Sequence, residues 1–120
     1  MSVSINQGSK KTFTISLQDI HGIPYPLENV TEIIVSLPCD DPNNPDTLKQ
    51  QFTLSDDEVA IVSVLGGKIQ VVCSGVKTTL LKVGEDQDGE ALVVFGGDVD
   101  NPTIVDLTGQ FTVNKRLFTA

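Results

Sequence analysis

Gly66 to Gly84 reads GGKIQVVCSGVKTTLLKVG, and the rest of the chain is organised around it. Two glycines turn the chain into Lys68 to Cys73. There Ile69, Val71 and Cys73 alternate with Lys68, Gln70 and Val72. A period of two puts alternate side chains on opposite faces of a strand. Ser74-Gly75 breaks the pattern. Ser74 can then cap one helical turn through Val76 to Leu81, which tucks Leu80 and Leu81 under the end of a sandwich.

Upstream, Lys11 to Gln18 alternates Phe13, Ile15 and Leu17 with Thr12, Thr14, Ser16 and Gln18, the pattern of a strand with one wet face. Residues 1–10 are polar and are expected to be either partly disordered or an edge strand. Asp19-Ile20-His21-Gly22 reads as a turn, and Pro24 and Pro26 make Ile23 to Leu27 an edge strand at best. Glu32 to Leu37 is a second strong strand, ended by Pro38. Cys39 to Asp46, CDDPNNPD, is a long polar loop. Thr47 to Leu54 resumes alternation, and Gln50 in its apolar face suggests the sheet margin. Ser55 to Glu58 before VAIVSVL fits a capping box, with Gly66 as a helix stop. Against that helix, five of the seven residues Val59 to Leu65 are Val, Ile or Leu, and four are β-branched, which favours a strand.

Downstream, Gly84 to Gly89, GEDQDG, reads as a turn-rich acidic loop and Glu90 to Phe95 as a strand. Gly96 to Pro102 forms a hairpin-like loop. Thr103 to Leu107 pairs back, Gly109 turns the chain, and Gln110 to Asn114 is the closing strand with Phe111 and Val113 inward. Short strands at regular spacing with Gly and Pro turns predict an all-β, antiparallel sandwich of about seven to nine strands with one short helical turn near residues 76–81.

At 120 residues the chain is expected to form one domain, 1–120, around a single core. That core draws on Val, Ile and Leu, since there are five Phe, one Tyr and no Trp. The formal charge is −8 with eight Lys and Arg, which disfavours nucleic acid and anionic membrane surfaces as partners. The acidity reads as solubility, with a basic partner surface as the sharper alternative. The N-terminus MSVSINQGSKK offers no apolar signal segment, and no run approaches a membrane span. The expectation is a protein made and kept in the cytosol, or assembled there into something that leaves by lysis. Cys39 and Cys73 are expected to be buried, reduced and small, and two cysteines with one histidine do not make a zinc cage.

Chemistry is sparse. The carboxylates cluster in loops: Asp40, Asp41 and Asp46; Glu85, Asp86 and Asp88; Asp98 and Asp100. Calcium uses such oxygen ligands, but Asp86-Gln87-Asp88-Gly89 lacks the spacing and distal glutamate of an EF-hand loop. No metal and no cofactor are expected. His21 lies in a turn with no nucleophile signature around any serine or cysteine, and no phosphate-binding glycine motif occurs. No catalytic residue is assigned, and the chain is not expected to be an enzyme.

The ordered pieces resemble the Ig-like domain at the N-terminus of phage baseplate upper proteins and related virion proteins. They are the strand Phe13 to Leu17; Asp19 and Gly22-Ile23-Pro24 in a turn, then Leu27; Ile33 to Leu37; Gly67 to Val71; Thr79-Leu80 and Gly84; and Gly109-Gln110-Phe111-Thr112-Val113. The resemblance implies an Ig-like β-sandwich and a place in a bacteriophage particle, as a tail or baseplate, neck or head-decoration component. Such a virion structural protein would be assembled in the host cytoplasm and would act by oligomerising or by docking onto other virion proteins. The alternative is a carbohydrate- or calcium-dependent recognition module using the acidic loops.

Overall fold

Strand-forming alternation in eight segments builds two sheets that share one core. The computed structural model describes residues 3–39 and 49–115. In chain order the elements are β1 (Val3–Asn6), β2 (Lys11–Ser16), β3 (Val30–Pro38), β4 (Lys49–Thr53), β5 (Val59–Ser63), β6 (Lys68–Cys73), α1 (Gly75–Thr79), β7 (Gly84–Phe95) and β8 (Thr103–Asn114). The larger sheet has the order β1-β8-β7-β3-β4 and the smaller one β2-β6-β5. The result is a β-sandwich with one short helix among the described residues.

The strand that organises the sequence is the centre of the small sheet. β6 pairs antiparallel with β2, Phe13 opposite Val71 and Ile15 opposite Ile69, and antiparallel with β5 on its other side. Its inward residues Ile69, Val71 and Cys73 are fully buried, as the alternation requires. Phe13, Ile15 and Leu17 continue that apolar face. Across the core the large sheet presents Ile33, Val35 and Leu37 from β3, Phe52 from β4 and Phe111 from β8. The Phe13 and Phe111 rings meet edge to face, with centroids 5.7 Å apart and planes at 63°, and so join the two sheets.

Val59–Ser63 take the strand alternative, and Val64 and Leu65 fall in the turn that follows. The carboxylate of Glu58 does not close a capping box. Its Oε1 accepts from the backbone N–H of Thr53 at 3.4 Å and from Lys77 Nζ at 2.9 Å. Val59 is buried against the core while Val62 stays exposed. The start of the chain takes the edge-strand alternative. β1 lies parallel to β8, Val3 opposite Phe111 and Asn6 opposite Asn114, the one parallel strand pairing among the described residues.

The helical turn forms with the expected cap, slightly earlier than its apolar residues suggest. Ser74 has extended φ −67° and ψ 154°, and its hydroxyl accepts from the Lys77 N–H at 3.3 Å. Thr78 is completely buried and its hydroxyl donates to the Ser9 carbonyl at 2.9 Å. Leu81, beyond the helix, is buried in the core and bridges Cys39.

Two expectations are corrected at the C-terminal half. Gly84 to Gly89 is not a loop but the first half of β7, and Thr103–Leu107 and Gln110–Asn114 are not separate strands but one strand, β8. Both misreadings have one cause. The pairing of β7 with β8 shifts register between Gly84 and Gln87 and again between Gln87 and Gly89. Gly109 adopts φ 65° opposite these irregularities, and its N–H donates to Asp88 Oδ1 at 2.7 Å. A polar, glycine-bearing stretch serves a bulge as well as a turn, so the strands bend without ending. The segment Ile23 to Leu27 forms only an isolated bridge, Gln18 with Pro24. Asp40 to Asp46 of the expected polar loop, with Thr47 and Leu48, lie outside the described residues.

Gly89 matters for another reason. A Cβ built on it would lie 2.5 Å from the Phe111 ring and 3.0 Å from Leu37 Cδ2, so the absent side chain is what seats Phe111. Gly89→Ala is expected to lower the stability of the folded chain by about 1–3 kcal/mol through overpacking. A urea melt that overlays the parent curve would show that Phe111 can move aside.

Candidate docking surface

Two of the acidic side chains singled out by the sequence bond their own neighbourhood. Asp88 holds the Gly109 N–H. Both carboxylate oxygens of Asp98 accept from Asn101 Nδ2 at 3.2 Å. Asp86 contributes a positive φ of 48° to the irregular start of β7. Asp100 is exposed in the loop between β7 and β8, and Glu85 is exposed on β7. Asp40, Asp41 and Asp46 lie outside the described residues. Among the described residues no group of three or more His, Cys, Asp or Glu is placed to hold a metal ion. His21 sits in the exposed turn before Ile23, its own N–H donating to Asp19 Oδ1 at 2.8 Å.

Among the described residues, Cys73 and Glu32 are electrostatically perturbed, and both belong to the frame. Burial, then the nearby Glu58 charge, push the Cys73 thiol up to about 12 against the opposing pull of Lys77. Cys73 is therefore a neutral apolar side chain at physiological pH, and Cys39 is half-buried; neither is in a disulfide. Partial burial raises the Glu32 carboxyl. Hydrogen bonds from the Ser55 hydroxyl and from the Ile33, Ser55 and Leu54 backbone outweigh that effect and hold it below its usual 4.5. Its Oε1 lies 2.9 Å from the Ile33 nitrogen and 3.2 Å from that of Ser55. Glu32 thus ties β3 to the turn after β4.

Sheet edges are the remaining feature with functional content, because unpaired backbone groups there can accept another strand. The β4 edge is blunted by α1. Lys77 Nζ donates to the Gln51 carbonyl at 2.6 Å, pairs with Glu58 at 2.7 Å and lies 5.1 Å from the Phe52 ring centroid. Gln50 Nε2 donates back to the Lys77 carbonyl at 3.2 Å. The outer edge of β8 is different. β1 covers it only at Phe111 to Asn114, and among the described residues no strand pairs with that side of Thr103 to Gln110.

Beside this edge runs a groove of about 350 Å³. One wall is Gln18, Asp19, Ile20 and Tyr25; the other is Ile104, Val105, Asp106 and Thr108. The first wall is held firmly. The Leu17 N–H donates to the Gly67 carbonyl at 2.7 Å, and the Tyr25 N–H donates to the Leu17 carbonyl at 2.9 Å. Asp19 Oδ1 accepts from both His21 and Ile23 N–H groups, an Asx turn that fixes the tip. That tip presents Ile20 at 95% exposure, and Ile104 on the opposite wall is 54% exposed. Apolar side chains held out in this way by a tied-down turn are suited to contact rather than to the core.

The sequence singled out the residues of this turn but not the groove, since Ile104 reads only as part of a returning strand. Among the described residues no helix is long and apolar enough to cross a membrane. The comparisons with protein-family models and with curated proteins returned no match.

Two measurements check the electrostatics. In the folded protein a soluble thiol reagent is expected to leave Cys73 unmodified and to reach it only on unfolding; rapid labelling of Cys73 in native buffer would contradict its burial. Because the folded pKa of Glu32 is depressed, its stabilisation is present above the unfolded value and lost as pH falls from about 4.5 through the folded value. Glu32→Gln is thus expected to cost about 1 kcal/mol or less at pH 7, given the solvation of the carboxylate, and to converge on the parent in acid. An equal difference at pH 7 and pH 3 would remove the charge from the explanation.

Proposed function

We propose that the protein is a non-enzymatic structural component of a bacteriophage particle, an Ig-like β-sandwich that works by docking onto other particle proteins or onto copies of itself. The observation that carries this reading is the edge of β8 that no other strand covers among the described residues, beside a groove lined by polar and apolar side chains together, a surface suited to strand addition. The phage setting is supported by the sequence resemblance. Its pieces fall on β2, the 19–27 segment, β3, β6, the end of α1 with the start of β7, and the second half of β8, so it spans both sheets. A tail or baseplate, neck or head-decoration position is consistent with it.

Fold alone does not define function, so the test is direct. Particles purified from a lysate of cells carrying the gene are expected to contain this chain in a fixed ratio to the major particle protein, measured by quantitative mass spectrometry. Recovery of the chain only in the soluble fraction, away from particles, would overturn the assignment.

A further inference from the structure

We infer that the groove along β8 receives the segment Lys115 to Phe118 of a second copy of this chain, so that copies join head to tail. The inference deepens the proposed role in assembly and rests on it for its biological setting only; the contact itself stands on the geometry.

Three observations select this occupant. First, the site is a strand acceptor. Among the described residues no strand pairs with one side of Thr103 to Gln110, and β1, lying parallel on the remainder of β8, marks the place a neighbouring strand takes. Second, the lining has a defined chemistry. Ile20, Tyr25 and Ile104 supply apolar surface, and among the described residues the charged side chains lining it are the carboxylates Asp19 and Asp106. Lys115-Arg116-Leu117-Phe118 carries the complement, two cations followed by two large apolar residues, in a chain that has only eight Lys and Arg against sixteen Asp and Glu. Third, distance makes the contact intermolecular. Val105 lies nine residues before Asn114 on β8, about 30 Å along a strand. Phe118 lies four residues beyond Asn114 and reaches at most about 14 Å from it. β1 also occupies the edge the segment would have to follow back.

Donor and acceptor lie towards opposite ends of β8, so the contact is heterologous. Each copy gives one segment and receives one, which generates a ring if the rotation closes and a filament if it does not. Backbone pairing supplies affinity without sequence preference. Asp19 and Asp106 with the cations, and Ile20 and Ile104 with Leu117 and Phe118, supply the specificity.

The test measures the mass of the full-length chain by light scattering across a concentration series, for the parent, for Phe118→Ser and for a charge-reversal pair. The parent is expected to self-associate. Phe118→Ser changes the donor segment and is expected to weaken association about tenfold or more while leaving the melting temperature unchanged. Asp106→Lys and Arg116→Glu are each expected to weaken it, and the double variant to recover it in part. A parent chain that is monomeric at every concentration would overturn the contact and give the β8 edge to a strand from a different protein. It would leave a docking role in a particle standing. Self-association that survives Phe118→Ser and Asp106→Lys unchanged would also overturn it, because the copies would then meet through another surface.

Discussion

The packing of Phe111 over Gly89 and against Phe13 is the contact on which the arrangement of the two sheets depends. Phe111 is buried, lies on β8 and faces inward. It fits because β7 has no side chain where the ring passes. Its edge-to-face contact with Phe13 then fixes the distance between the large sheet and the small one. In a core made mostly of aliphatic side chains, with Phe52 also buried, this aromatic pair links the two layers directly. The bulges around Gly84 to Gly89 and at Gly109 bend the two long strands at this contact while keeping them paired.

Around that centre, the charged groups serve the frame. Lys77 gathers α1, β4 and the start of β5 through Gln51, Phe52 and Glu58, and in doing so closes the β4 edge. Glu32 ties β3 to the turn that follows β4. Asp19 and Asp88 hold turn and bulge backbone. Part of the acidity that looks like a ligand-binding signature in the sequence is thus spent inside the fold, Asp88 on the Gly109 N–H and Asp98 on the Asn101 amide. One end of the outer edge of β8 is covered by β1, and among the described residues no strand covers the rest, so β8 is both a seam of the large sheet and an available edge.

The sequence by itself determined the class of fold and most element positions, because strand alternation is a local property. Ile69, Val71 and Cys73 in β6, and Phe13 and Ile15 in β2, face inward as their spacing requires, and Ser74 caps α1 as its hydroxyl allows. What the tertiary structure alone decided was non-local. Gly89 and Gly109 lie in continuous strands because partners across β7 and β8 supply hydrogen bonds through the irregular register, while sequence shows only glycine among polar residues. The groove was hidden for the same reason. Ile20 and Ile104 are eighty-four positions apart, and only the strand order, with β8 interior to one sheet and the 19–23 turn extending from the other, brings them to one surface. Side-chain period is written in the chain, but which strand lies beside which is set by how two amphipathic sheets bury their faces together.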